Sequence, residues 1–109
     1  MKLIQLKIVT FFKTHGSPGD SCYIDNEGES LGYYTGMKII HRDDISALDA
    51  PDWIVLRGDY RHAVDKHSSS QIAQNIREVL SKHPYSKIEL NAPSIRVNNA
   101  YDIQIHLFR

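Results

Sequence analysis

Apolar residues recur at Ile4, Ile8, Phe11 and Phe12, with Leu3 and Val9 beside them and polar Gln5, Lys7 and Lys13 between. This spacing predicts an amphipathic helix. Gly16, Pro18 and Gly19 stop it. "SCYID", residues 21–25, reads as a short strand, and "NEGE" as a polar loop. "SLGYYTG" suits one or two helical turns ending at Gly36, and "MKIIH" a second short strand. "RDDISALDAP" suits another helical turn, closed by Pro51. In "DWIVLR", Trp53, Ile54, Val55 and Leu56 are apolar on both faces, as in a central strand covered on two sides. "GDYRHAVDKH" has no period and reads as a loop.

The strongest helical pattern is "SSSQIAQNIREVLSKHP". Ile72, Ala73, Ile76, Val79 and Leu80 form one stripe. Ser68 followed by Gln71 matches a capping box, and Lys82, His83 and Pro84 suit the other end. "YSKIEL" gives another strand, and "NAPSIRVNNAY" a loop. "DIQIHLF" alternates, with Ile103, Ile105 and Leu107 on one face. Alternation suits a half-exposed antiparallel strand at a sheet edge. The order of elements predicts a small three-layer α/β sandwich. Its central sheet is expected to be mostly parallel, with four to five strands and an antiparallel last strand.

The length of 109 residues suits a single domain, 1–109. Thirteen basic and thirteen acidic residues cancel. This balance argues against nucleic-acid partners and against adhesion to an anionic membrane surface. Cys22 is the sole cysteine, so no internal disulfide can form. The first residues begin with a lysine and are apolar, like a secretory signal. Gln5 and Lys7 interrupt the run, no small-residue cleavage site follows, and nothing approaches the ~20 apolar residues of a membrane span. The chain as written reads as soluble.

No constellation rises to an active site. His15 and Cys22 form a weak Cys–His signal, because a thiol in a strand is ordinarily packing. "GSPGD" follows a helix and precedes a strand, so it reads as a tight turn and not a phosphate cradle. His62, Asp65 and His67 match no standard zinc spacing. His41, Asp43 and Asp44 suit a strand end and helix start. Tyr33, Tyr34, Trp53, Tyr60 and Tyr101 read as core or interface before ligand groove. Asp20, Asp25, Glu27 and Glu29 read as solvated acids. No catalytic residue, metal or cofactor is expected.

In parallel α/β sheets, ligands bind beyond the carboxyl ends of the strands. Here that rim comprises Asp25, Asn26, His41, Arg42, Arg57, Gly58 and Asp59, which makes it the candidate ligand site.

"SPGDSCYID", "LGYYTGMKII" and "APDWIVLR", in that order after a helix, resemble the C-terminal soluble region of GT-C-type membrane glycosyltransferases. These are the relatives of dolichyl-phosphate-mannose protein mannosyltransferases and aminoarabinose transferases. "KIELNAPSIRVNNAYDIQIHLFR" is similar to the tail of the same region. The resemblance spans nearly the whole chain. Gly19, Asp20, Tyr34, Thr35, Gly36, Asp52, Trp53 and Arg57 fall on its pattern and look structural.

The resemblance implies an extracytoplasmic domain excised from a polytopic protein. The missing membrane core would carry the catalytic acid and the lipid-phosphate site, so no catalytic residue carries over. The implied function is a non-catalytic accessory domain that helps position acceptor or glycan. Its partners would be the membrane-embedded part of its own chain and a glycan or acceptor, with no nucleic acid. The alternatives are a free-standing small α/β ligand- or nucleotide-binding domain and a protein-interaction module. For the last, Leu3, Leu6 and Phe12 are the candidate exposed apolar stripe.

Overall fold

The computed structural model describes residues 3–25, 28–57, 70–91 and 102–108. The elements are α1 (Leu3–His15), β1 (Ser21–Ile24), α2 (Gly28–Thr35), β2 (Lys38–Ile40), a 3₁₀ turn (Arg42–Asp44), β3 (Trp53–Arg57), α3 (Gln71–Lys82), β4 (Tyr85–Asn91) and β5 (Asp102–Phe108). The five strands form one sheet in the order β2-β1-β3-β5-β4.

The sheet is mixed, which corrects the expectation of a mostly parallel one. β1 pairs in parallel with β2 and β3, while β5 pairs antiparallel with β3 and β4. β4 therefore runs in the same direction as β3, and β5 is inserted between them. The predicted edge position of β5 is also corrected: the edge is β4, where Lys87, Ile88 and Glu89 are exposed.

Helices cover both faces. On one, Ile8, Val9 and Phe12 of α1 and Leu31 of α2 pack on Cys22, Ile24, Trp53, Val55, Ile103 and Ile105. On the other, Ala73, Ile76 and Val79 of α3 pack on Tyr23, Ile54 and Leu56. β3 feeds both clusters, as its unbroken apolar run predicts. Gln104 and His106 fall on the α3 side and are buried, with His106 Nε2 2.7 Å from Gln104 Oε1. Insertion between two strands on a covered face buries the polar half of the β5 alternation. Polar groups confined there need partners, and these two meet each other.

Four local expectations are corrected. "NEGE" is not a loop throughout, since α2 begins at Gly28. The capping residue of α3 is Ser70, whose Oγ accepts from Ala73 N at 3.5 Å, while Gln71 bonds along the helix to Asn75. Ser68 lies outside the described residues. The proposed apolar stripe on α1 does not form, because Phe12 is 1 % exposed in the core. Leu6 is half-exposed, and the side chain of Leu3 is outside the described set. The fourth, the burial of Asp25, belongs with the site below.

The "SPGD" turn and the end of α2 lock together. Gly19 and Gly36 both take positive φ, +92° and +74°, which explains glycine at each. Gly19 N donates to Gly36 O at 3.1 Å, and Lys38 N to Asp20 O at 2.8 Å. Asp20 Oδ2 accepts from Ser17 N and from the buried Trp53 Nε1, both at 3.0 Å. Trp53 in turn meets Phe11 and Phe12 edge-on.

Asp20→Ala would leave the indole N–H buried without an acceptor. It is expected to cost about 1–3 kcal/mol in urea unfolding, with Asp20→Asn recovering most of the loss. Equal losses in both variants would show that the indole bond is not the cause. Asp52 binds the start of β1 similarly, its Oδ2 accepting from Ser21 N at 2.9 Å.

Candidate functional site

Because β1, β2 and β3 run in parallel, their carboxyl ends open on one edge of the sheet. Asp25 follows β1, His41 and Arg42 follow β2, and Arg57 ends β3. The predicted rim residues Asp25, His41 and Arg42 line an open cavity of about 300 Å³ together with Ile24, Gly28, Asp43 and Asp44. Arg57 is not among the lining residues but contacts Asp25. Asn26, Gly58 and Asp59 lie outside the described residues, as do Glu27, Tyr60, His62, Asp65, His67 and Tyr101.

Asp25 is 4 % exposed, which overturns its reading as a solvated acid. Its Oδ2 accepts from Arg57 N at 3.1 Å, and Arg57 Nε stands 3.9 Å from Oδ1. That second distance is an ion pair without a hydrogen bond. Oδ1 is buried and has no hydrogen-bond partner among the described residues. Burial pushes the Asp25 carboxyl up to about 6. The Arg57 N–H, the charge of Arg57, the residue's own N–H and the charge of Arg42 each oppose that rise without cancelling it. Desolvation therefore exceeds pairing here.

The walls are built by close approach. A Cβ on Gly28 would stand 2.7 Å from Ile39 Cγ2, 3.0 Å from Ile24 Cγ2 and 3.3 Å from His41 Nδ1. Only glycine lets the start of α2 sit against the ends of β1 and β2. Tyr23 Oη donates to Arg42 O at 3.2 Å, which holds the 3₁₀ turn over the sheet. Asn75 of α3 fixes the next segment by donating to Ile45 O at 3.0 Å. The half-exposed Arg42 guanidinium stands 3.6 Å from Asp43 Oδ1.

Among the described residues, no serine, threonine, cysteine or lysine lines this cavity. Cys22 is fully buried within β1, where burial, and secondarily the charge of Asp20, push its thiol far up. A thiol so held is not a nucleophile at neutral pH. Among the described aromatic candidates no groove is formed: Trp53 is buried, whereas Tyr33 and Tyr34 are exposed and meet edge-on. A second groove, with a more apolar surface, lies between α1 and Leu90 and is lined also by Leu6, Lys7, Thr10, Phe11, Thr14 and His15.

Fold and site together define an α/β domain with a polar strand-end cavity built around one buried carboxylate. No protein-family model, no curated protein and no solved structure matches the chain. Sequence reasoning found the rim but missed the burial of Asp25. Its position directly after an apolar strand was the available signal, whereas its pairing with Arg57 follows from the β1–β3 register. Gly28 was missed as well, because its need for close approach depends on Ile39, which is distant in the chain.

Proposed function

We propose that this chain is the non-catalytic accessory domain of a membrane glycosyltransferase, and that it positions a glycan or acceptor at its strand-end cavity. The observation carrying the binding role is Asp25: a buried carboxylate with one oxygen that has no hydrogen bond among the described residues, at a polar strand-end cavity. The parent class is supported by the ordered segments "SPGD", "LGYYTG" and "APDWIVLR". In the fold they form one interlocked unit through Gly19, Asp20, Gly36 and Trp53. Among the described residues no helix is long and apolar enough to cross a membrane, so the spans would belong to the rest of the parent chain. The reading places the domain on the extracytoplasmic side.

The test uses the full-length parent protein. Removing this domain is expected to lower transfer to the natural acceptor at least tenfold, while the membrane core still binds its lipid-linked donor. Unchanged transfer would refute the accessory role. A reading frame that does not continue into apolar segments of ~20 residues would refute the parent class.

A further inference from the structure

We propose that the Asp25 cavity takes a neutral sugar by two adjacent hydroxyls, one donating to Asp25 and the other accepting from Arg42. This rests on the reading of the strand-end cavity as the binding site and narrows it to a ligand class.

Three observations carry the inference. The first is the unused acceptor. Among the described residues, Asp25 Oδ1 is buried without a hydrogen bond, an arrangement that ordinarily costs stability and that a hydroxyl donor would relieve. Asp25 is among the residues lining the cavity, and the carboxyl torsion of aspartate is broad. The second is the opposing donor. Arg42 lines the same cavity with a half-exposed guanidinium carrying five N–H groups. An acceptor and a donor lining one cavity match a hydroxyl pair, each member of which both gives and accepts.

The third is charge. Asp25, Asp43 and Asp44 all line the cavity, against Arg42 and the neighbouring Arg57. A phosphate or uronate entering there would meet three carboxylates, so a neutral ligand is favoured. The volume of about 300 Å³ accommodates one or two sugar rings.

Among the described residues, the titratable and charged groups at Asp25 and its cavity are Arg57 from β3, His41 from the end of β2, and Arg42, Asp43 and Asp44 from the 3₁₀ turn. α2 contributes Gly28 to the lining, which does not titrate. The hydroxyl donates to the ionised carboxylate, so binding should weaken as pH falls through about 6, the value to which burial raises Asp25. A carboxyl near that value is about tenfold less ionised at pH 5 than at pH 7.5.

The experiment titrates the 109-residue chain with methyl glucoside, methyl mannoside and methyl galactoside, each followed through backbone amide chemical shifts. Glucose 6-phosphate and glucuronate serve as anionic comparators. At least one neutral glycoside is expected to bind saturably in the millimolar range and to shift the amides of Asp25, Gly28, His41 and Arg42. Binding should be about tenfold weaker at pH 5 than at pH 7.5, and about tenfold weaker in Asp25→Asn. Arg42→Ala, at an exposed position compatible with folding, should weaken binding several-fold if Asp25→Asn folds poorly.

The proposal is overturned by any of three results: no saturable shift with the neutral glycosides, equal or tighter binding of either anionic sugar, or affinity independent of pH. If no glycoside binds yet deletion of the domain still lowers transfer, the ligand class fails and the accessory role stands. If glycosides bind and deletion changes nothing, the accessory role fails and the ligand class stands.

Discussion

Replacing Arg57 with alanine is expected to lower stability more at pH 7 than in acid, the excess being at most about 1.4 kcal/mol, because a carboxyl held at about 6 can take up a proton one pH unit away. Arg57 is the side chain paired with Asp25 at 3.9 Å, and it is itself only 10 % exposed. Its removal leaves a carboxylate that the fold shields almost completely from water. The backbone N–H of residue 57 would remain as a donor to Oδ2, so the site would lose its charge partner and keep one hydrogen bond. The loss should shrink in acid. There Asp25 takes up a proton and no charge is stranded, leaving only the lost packing of the arginine stem. Urea unfolding of both proteins at pH 7 and pH 4.5 measures this. A penalty of the same size at both values would mean that Arg57 acts through packing and not through charge.

Asp25→Asn is expected to remove a pH dependence of about 3 kcal/mol. Burial raises this carboxyl from an ordinary value of 3.8 to about 6. That is roughly two pH units, each equivalent to about 1.4 kcal/mol. The folded chain therefore holds the Asp25 proton more tightly than the unfolded chain does. The resulting stabilisation is complete below the unfolded value and is lost as pH rises through about 4 to 6. Other carboxylates titrate in the same window, so the informative quantity is the difference between variant and wild type. Between about pH 3 and pH 7 that difference should move by about 3 kcal/mol in favour of the variant. A difference that stays flat would show that the carboxyl is not held up by burial. One that moves the opposite way would show that Arg57 and Arg42 outweigh desolvation.

The two experiments address one arrangement from its two sides. A buried carboxylate kept near neutral pH by desolvation, and paired imperfectly with one arginine, is costly to the fold. Proteins tolerate such groups where a ligand uses them. This connects the stability predictions to the proposed sugar site: the same unused oxygen that penalises the empty domain is the one a hydroxyl would engage.

The local code of this chain was legible in its periodicity. The stripe Ile72, Ala73, Ile76, Val79 marks α3 because a helix must turn one face to the sheet. The unbroken run of Trp53 to Leu56 marks a strand with two covered faces. Gly19 and Gly36 mark the places where the backbone takes positive φ. The strand-end rim followed from these elements, since parallel neighbours bring Asp25, His41, Arg42 and Arg57 to one edge whatever else the sheet does.

Only the tertiary structure decided the partner of β5, the burial of its polar face and the state of Asp25. Alternation in "DIQIHLF" reports that two faces differ, but not whether a helix covers the second. Once β5 is inserted between β3 and β4, Gln104 and His106 are enclosed and bond to each other. The same holds for the site. An aspartate is solvated or desolvated according to what packs around it, and here the surroundings come from β3, the start of α2 and the turn after β2. Short-range pattern determines which segments become helices and strands. Which polar groups lose water depends on contacts between residues some thirty positions apart, as between Asp25 and Arg57, and no local period encodes them.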